Sequence, residues 1–139
     1  MGKLIFSGFI ALFFILGITW VFAYEKVSIV DNDNEMALEN ATRNAVNQSV
    51  NLGVLRTQEK VTIDPQMARD LLLRQYAESV GFYEGERTLN VFKNPLGGTP
   101  FLATDAYATI EPTGALTEGI HQETRSRTVQ IIESRNLTK

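Results

Sequence analysis

The 139-residue sequence contains no cysteine, a single histidine, a single tryptophan and four prolines. Without thiols it has no disulfide staples, thiolate metal sites or cysteine nucleophiles. With His121 as its one histidine, a two-histidine metal site or a His-x-x-x-His helix is excluded too. No Gly-x-Ser-x-Gly elbow offers a nucleophile for a Ser-His-Asp arrangement, and His121 reads as a surface residue ahead of the last strand. Positive charge is also in short supply. The formal net charge is −3, so no basic face marks a nucleic-acid partner. Carboxylate pairs such as Glu84 with Glu86, or Asp105 with Glu111, are what scattered acidic residues produce by chance. We expect no enzyme and no cofactor.

Charge is missing altogether from Leu4 to Ala23, a stretch that is mostly apolar. As a helix rising about 1.5 Å per residue, it matches the roughly 30 Å hydrocarbon core of a bilayer. Trp20 and Tyr24 fall at its outer end, where amphipathic rings favour the headgroup level. All 16 acidic residues lie beyond Tyr24, whereas Lys3 precedes the apolar run. Positive charge stays inside, so the amino terminus is expected in the cytoplasm and the remainder outside. The alternative is a secretory signal cut after Val21-Phe22-Ala23. The length of the run and the bulk of Trp20 and Phe22 favour an anchor over residues 1–24, with the lipid bilayer as partner. Within it, Ser7-x-x-x-Ala11 with Gly8 alongside is a small-xxx-small spacing that permits close helix packing in lipid.

Residues 25–35 read as a juxtamembrane linker, in which Asp31–Asn34 either caps a new helix or sits within a continuous one. Residues 36–139 then form an extracytoplasmic α+β domain. From Glu35 to Leu52 a helical stripe recurs at steps of three and four, through Leu38, Ala41, Ala45, Ser49 and Leu52. Its small residues suit either a helix lying on a sheet or a face packed against other copies. Gly53 is expected to close the helix, and Val54–Ile63 to be a strand or extended link. Asp64-Pro65 opens a second helix, Asp at N-cap and Pro at N1, running to Val80 with Ala68, Leu71, Leu72, Gln75, Tyr76 and Ser79 on one face and Gly81 ending it.

Strands are expected over Arg87–Phe92, Asp105–Glu111 and Thr124–Glu133, separated by Asn94-Pro95, Gly97-Gly98-Thr-Pro100 and Pro112-Thr-Gly114. Gly97 and Gly98 form a turn or a contact loop, since the lysine and spacing of a phosphate loop are missing. Arg125 and Arg127 share one face of the last strand, as charged edge-strand residues do. The sum is an N-terminal transmembrane helix, an amphipathic helix, a second helix and a small, mostly antiparallel sheet.

This layout resembles the type IV pilin superfamily, and within it the TadE-like pseudopilins. The likeness lies in the very short leader, the apolar amino-terminal helix, Ala41-Thr-Arg-Asn-Ala-Val46 in an Ala/Asn/Arg-rich helix, and a small α+β head. Gly8 precedes an apolar start as the family's processing glycine does, while Phe13 stands where its subunits carry Glu. The resemblance implies a non-enzymatic subunit of a surface-filament or secretion assembly, packed through its amino-terminal helices. On that reading Gly8, Ala11, Leu38, Ala41, Ala45 and Leu52 make contacts, with self-association or other envelope subunits as partners. A reading of another class is an anchored or secreted ligand-binding module that uses Gly97-Gly98.

Overall fold

A computed structural model of the protein describes residues 2–58, 61–81, 85–92, 101–111 and 121–132. Its dominant element is α1, one unbroken helix over Gly2–Gln48, 47 residues long. At about 1.5 Å per residue this is a rod of about 70 Å. Of the two states open to Asp31–Asn34, the continuous helix is the one found: α1 runs through residues 25–35. The chain has no proline before Pro65, so nothing removes a backbone donor along this path. The weak helix formers Asp31–Asn34 are retained because Asp33 and Asn34 find partners on the head instead of competing for their own backbone.

The head closes around the second half of the rod. Buried positions on α1 are Val30, Asn34, Ala37, Leu38, Ala41, Thr42, Ala45 and Val46, the three-and-four spacing of a single helix face. The head thus begins before residue 36: Val27 and Val30 already pack against Ala108 and Ile110. Leu38 and Leu72 are fully buried within the main core, beside Tyr76, Val80, Leu102 and Ala106. Each such leucine stabilises the fold by about 1.5–3 kcal/mol relative to an exposed one.

After Gln48 the chain turns sharply. Asn51 accepts from the backbone N–H groups of Gly53 and Val54 through its side-chain oxygen, each at 3.1 Å, and so starts the short helix α2, Leu52–Gln58. This corrects two expectations. Gly53 lies inside a helix rather than ending one, and Val54–Gln58 is helical rather than extended. Among the described residues of that segment, only Ile63 pairs in strand fashion, with Val50. Helix α3 spans Pro65–Ser79, its first turn capped by the Asp64 carboxylate, which accepts from Gln66 and Met67 N–H. It buries Ala68, Leu72 and Tyr76 and packs along α1.

Three antiparallel strands, β1 Glu86–Phe92, β2 Phe101–Ile110 and β3 Gln122–Ile131, lie in the order β1-β2-β3. Gly85 turns the chain into β1 at φ 91, with its missing side chain facing Thr109 O; a Cβ there would meet that oxygen at 2.1 Å. Strand β2 begins four residues earlier than the pattern of the sequence suggests, with Phe101 paired to Ile131. Its even-numbered residues from Leu102 to Ile110 are buried under α1, and the odd-numbered face points away. Thr42 meets Thr104, Asn34 meets Ala106, and Val30 meets Ala108. Helix α1 therefore runs antiparallel to β2, and its free half leaves the head at the Ile110 end of the sheet. The architecture is α+β.

Candidate functional site

The free half of α1 is built from residues that no described part of the head covers. Every described residue from Gly2 to Phe22 is exposed. The helix is long and apolar enough to cross a membrane. Phe9 and Phe13 stack along it one turn apart, with centroids 6.2 Å apart. The Thr19 hydroxyl donates to Leu16 O at 2.9 Å, keeping its polar group within the helix. Gly8 has open space around it, and so does Gly17, which leaves a hollow bounded by Phe13, Phe14, Ile18 and Val21. Trp20 and Tyr24 project fully from the upper end of this half, 77% and 75% exposed.

Immediately above, a polar seam locks the rod to the head. The Lys26 ammonium donates to Glu111 O at 3.4 Å. Asp33 accepts from Gly81 N–H at 3.1 Å and from Arg87 at 3.1 Å. Asn34, wholly buried, donates through Nδ2 to Ala106 O at 3.3 Å and Ser126 Oγ at 3.2 Å, and accepts the Tyr76 hydroxyl at Oδ1. One side chain thereby ties α1 to α3, β2 and β3. Higher on the helix, Thr42 donates to Leu38 O at 2.7 Å and meets the Thr104 hydroxyl at 3.1 Å. A buried amide with its donors and acceptor occupied fixes register, since every alternative alignment would strand polar groups.

On the opposite face of the sheet sits a charged cluster. Asp105 accepts from Arg127 Nε at 2.6 Å and Nη2 at 2.9 Å, and from Arg125 Nη2 at 2.8 Å. The Arg125 guanidinium also stacks over the Tyr107 ring, 5.1 Å from its centroid. The carboxylate is almost wholly covered, while the two arginines that hold it stay half-exposed. Hydrogen bonds from Arg127 and then Arg125 hold its pKa well below the ordinary carboxylate range. A depressed folded-state pKa stabilises the fold above the unfolded value, near 3.9, and that contribution is lost as pH falls toward the folded value. The stability gap between the protein and Asp105→Asn is therefore expected to be constant near neutrality and to shrink below about pH 4. Chemical denaturation across that range measures it; a gap unchanged in acid would contradict the pairing.

The expected contact residues fall into distinct places. Gly8, Ala11, Trp20 and Tyr24 lie on the exposed half of α1. Leu38, Ala41 and Ala45 are buried in the chain's own core, at 0%, 1% and 0% exposure. They are not an assembly face: the small residues let α1 approach its own head, and no surface remains there for another copy. Leu52 is exposed, but on α2 rather than in that stripe. Gly97 and Gly98 lie outside the described residues. His121 is exposed, with Nδ1 at 3.3 Å from Glu111. Asp105 binds arginines rather than joining Glu111 in a pair. Tyr76 falls on the face expected to be buried on α3, whereas Asn34 lies ahead of the helical stripe and left no motif in the sequence. Compared with known proteins, the chain matches no protein-family model, no curated protein and no solved structure.

Proposed function

We propose that the chain is a non-enzymatic, single-pass membrane subunit of a bacterial surface-filament or secretion assembly, of the pilin-like kind. Its amino terminus lies in the cytoplasm and its head outside. One observation carries this reading: a single helix has one half wholly exposed and apolar and its other half as the spine of the head. A rod of that kind transmits position. The head cannot swing on a flexible link, so contacts made by the apolar half in lipid, or in a filament core, set where the head stands. An apolar amino-terminal helix under a small α+β head is also what the resemblance to TadE-like pseudopilins implies. Lys26, Asp33 and Asn34 serve in this reading as the lock that keeps the head upright beside the bilayer.

The intact mass of the protein extracted from its membrane fraction tests the proposal. Retention of Leu4–Ala23 on the mature chain is expected, and its removal would leave a head with nothing to insert or assemble through.

A further inference from the structure

The last strand leaves one of its sides unused. Strand β3 pairs with β2 residue for residue from Gln122 to Ile131, without a bulge, and it contains no proline. In the order β1-β2-β3 it is an edge, and among the described residues nothing pairs with its far side. Every second residue there points its N–H and C=O away from β2. A long edge is ordinarily guarded by charges, a proline or a bulge. The two cations of this strand, Arg125 and Arg127, are drawn off the edge. Both guanidinium groups reach back over the sheet to Asp105 on β2, at 2.6 to 2.9 Å.

Beyond the arginines the strand turns apolar. The register sets Val129 beside Ala103 and Phe92, and Ile131 beside Phe101, on the face turned away from α1. Val129 and Ile131 are 54% and 55% exposed there, and Phe92 is exposed as well. Helix α1 leaves the head at the opposite, Ile110 end of the sheet. At about 3.3 Å per residue along β2, the patch stands about 30 Å farther from the apolar half. Lipid does not cover it.

We infer that β3 takes an extended segment of a partner protein as a fourth strand. The partner's backbone fills the unpaired groups of the edge, and its alternate side chains decide which segments fit. Pairing antiparallel, the more stable arrangement, the segment reads aliphatic-x-aliphatic-x-acidic. Its aliphatic residues lie beside Ile131 and Val129, and its carboxylate lies beside Arg127. Charge argues for that carboxylate. Arg125 and Arg127 share the single charge of Asp105 and stay half-exposed, so one positive charge is left over, and an opposite charge directly across the pair is stabilising.

The same charges argue against a second copy as the occupant. Copies anchored in one bilayer, as proposed above, stand parallel and at equal height. Two β3 edges would then set Arg127 beside Arg127. An edge of β1 against β3 would set Glu86 beside Glu123, since both lie level with Thr109. Like charges meet in either arrangement.

Two acetylated peptide probes test the inference on the full-length protein in detergent: Thr-Val-Thr-Val-Thr-Glu-Thr, and the same sequence with Lys in place of Glu. Amide hydrogen exchange with and without each probe locates the contact. The Glu probe is expected to protect the outward-pointing amides of β3 saturably, to leave β1 unchanged, and to bind several-fold more tightly than the Lys probe. Val129→Lys, a change at an exposed side chain, is expected to weaken the Glu probe several-fold without altering the melt. No protection of β3 by the Glu probe, equal binding of the two probes, or unchanged binding to Val129→Lys overturns the inference. Protection of β3 that grows with protein concentration alone would assign the edge to a second copy and overturn it too. None of these outcomes depends on whether Leu4–Ala23 is retained, which the intact mass decides separately.

Discussion

Replacing Ala45 with tryptophan is expected to unfold the head, not to loosen contacts between copies. Ala45 has no exposed surface and belongs to the main core beside Leu38, Leu72 and Leu102. Overpacking a dense core costs about 1–3 kcal/mol for modest enlargements and more for large ones. An indole in place of a methyl group belongs to the second kind, so a loss of at least about 3 kcal/mol is expected. For a domain this small that lowers Tm by more than about 10 °C, out of a total stability of about 5–15 kcal/mol. Ala41→Trp should behave alike. Exposed Met36→Trp, on the back of the same helix, should leave the melt nearly unchanged. Thermal unfolding followed by circular dichroism compares the three. Equal melts for Ala45→Trp and Met36→Trp would show that the small-residue face is free after all.

The second large effect is expected at Asn34. Asn34→Leu keeps the branched outline and number of heavy atoms of the side chain but removes two donors and an acceptor from a buried site. It leaves the Tyr76 hydroxyl and Ser126 Oγ without that partner. Each stranded buried polar group costs about 1–3 kcal/mol, so a loss of about 3–5 kcal/mol follows. Tyr76→Phe, which removes one hydroxyl, is expected to cost less. The double variant should cost less than the sum of the two, because residues in one hydrogen-bond network couple. Urea unfolding of the four proteins completes the cycle. Strict additivity would mean that Tyr76 and Asn34 do not share a bond.

Both effects turn on what a periodic pattern reveals. The stripe Leu38, Ala41, Ala45 was legible as a face that must be covered, and the structure covers it with the chain's own sheet and α3. A spacing of three and four says that a face is buried without saying by what. The start of α3 was legible because Asp64-Pro65 is a local signal whose chemistry acts within one turn. The antiparallel character of the sheet was legible from alternation and turn residues. The continuity of α1 was not, since Asp31–Asn34 are weak helix formers locally and only their partners in the head, Gly81, Arg87, Tyr76 and Ser126, make helix the better state there. The early part of β2 was hidden for a related reason. Leu102 and Ala103 follow a Gly/Pro-rich stretch, and the pairing of Phe101 with Ile131 that extends the strand is non-local. Arg125 and Arg127 were recognisable as sharing one face of the last strand. Their shared partner, Asp105, emerges only from the register of β2 against β3, which sets Asp105 opposite Arg127.

On the proposed function α1 works as one piece, with the apolar half kept on the mature protein and the head held close above it. Every residue from Gly2 to Phe22 is exposed, while the head's core begins at Val27, so loss of the apolar half would leave the head's packing untouched and only its connection would go. The intact mass of the protein from its native membrane fraction tests that claim most directly. The expected result is a chain that retains the apolar half, either at full length or shortened only up to Gly8. A chain that begins at Tyr24 would contradict it, since the rod would then be no more than a leader for a secreted domain.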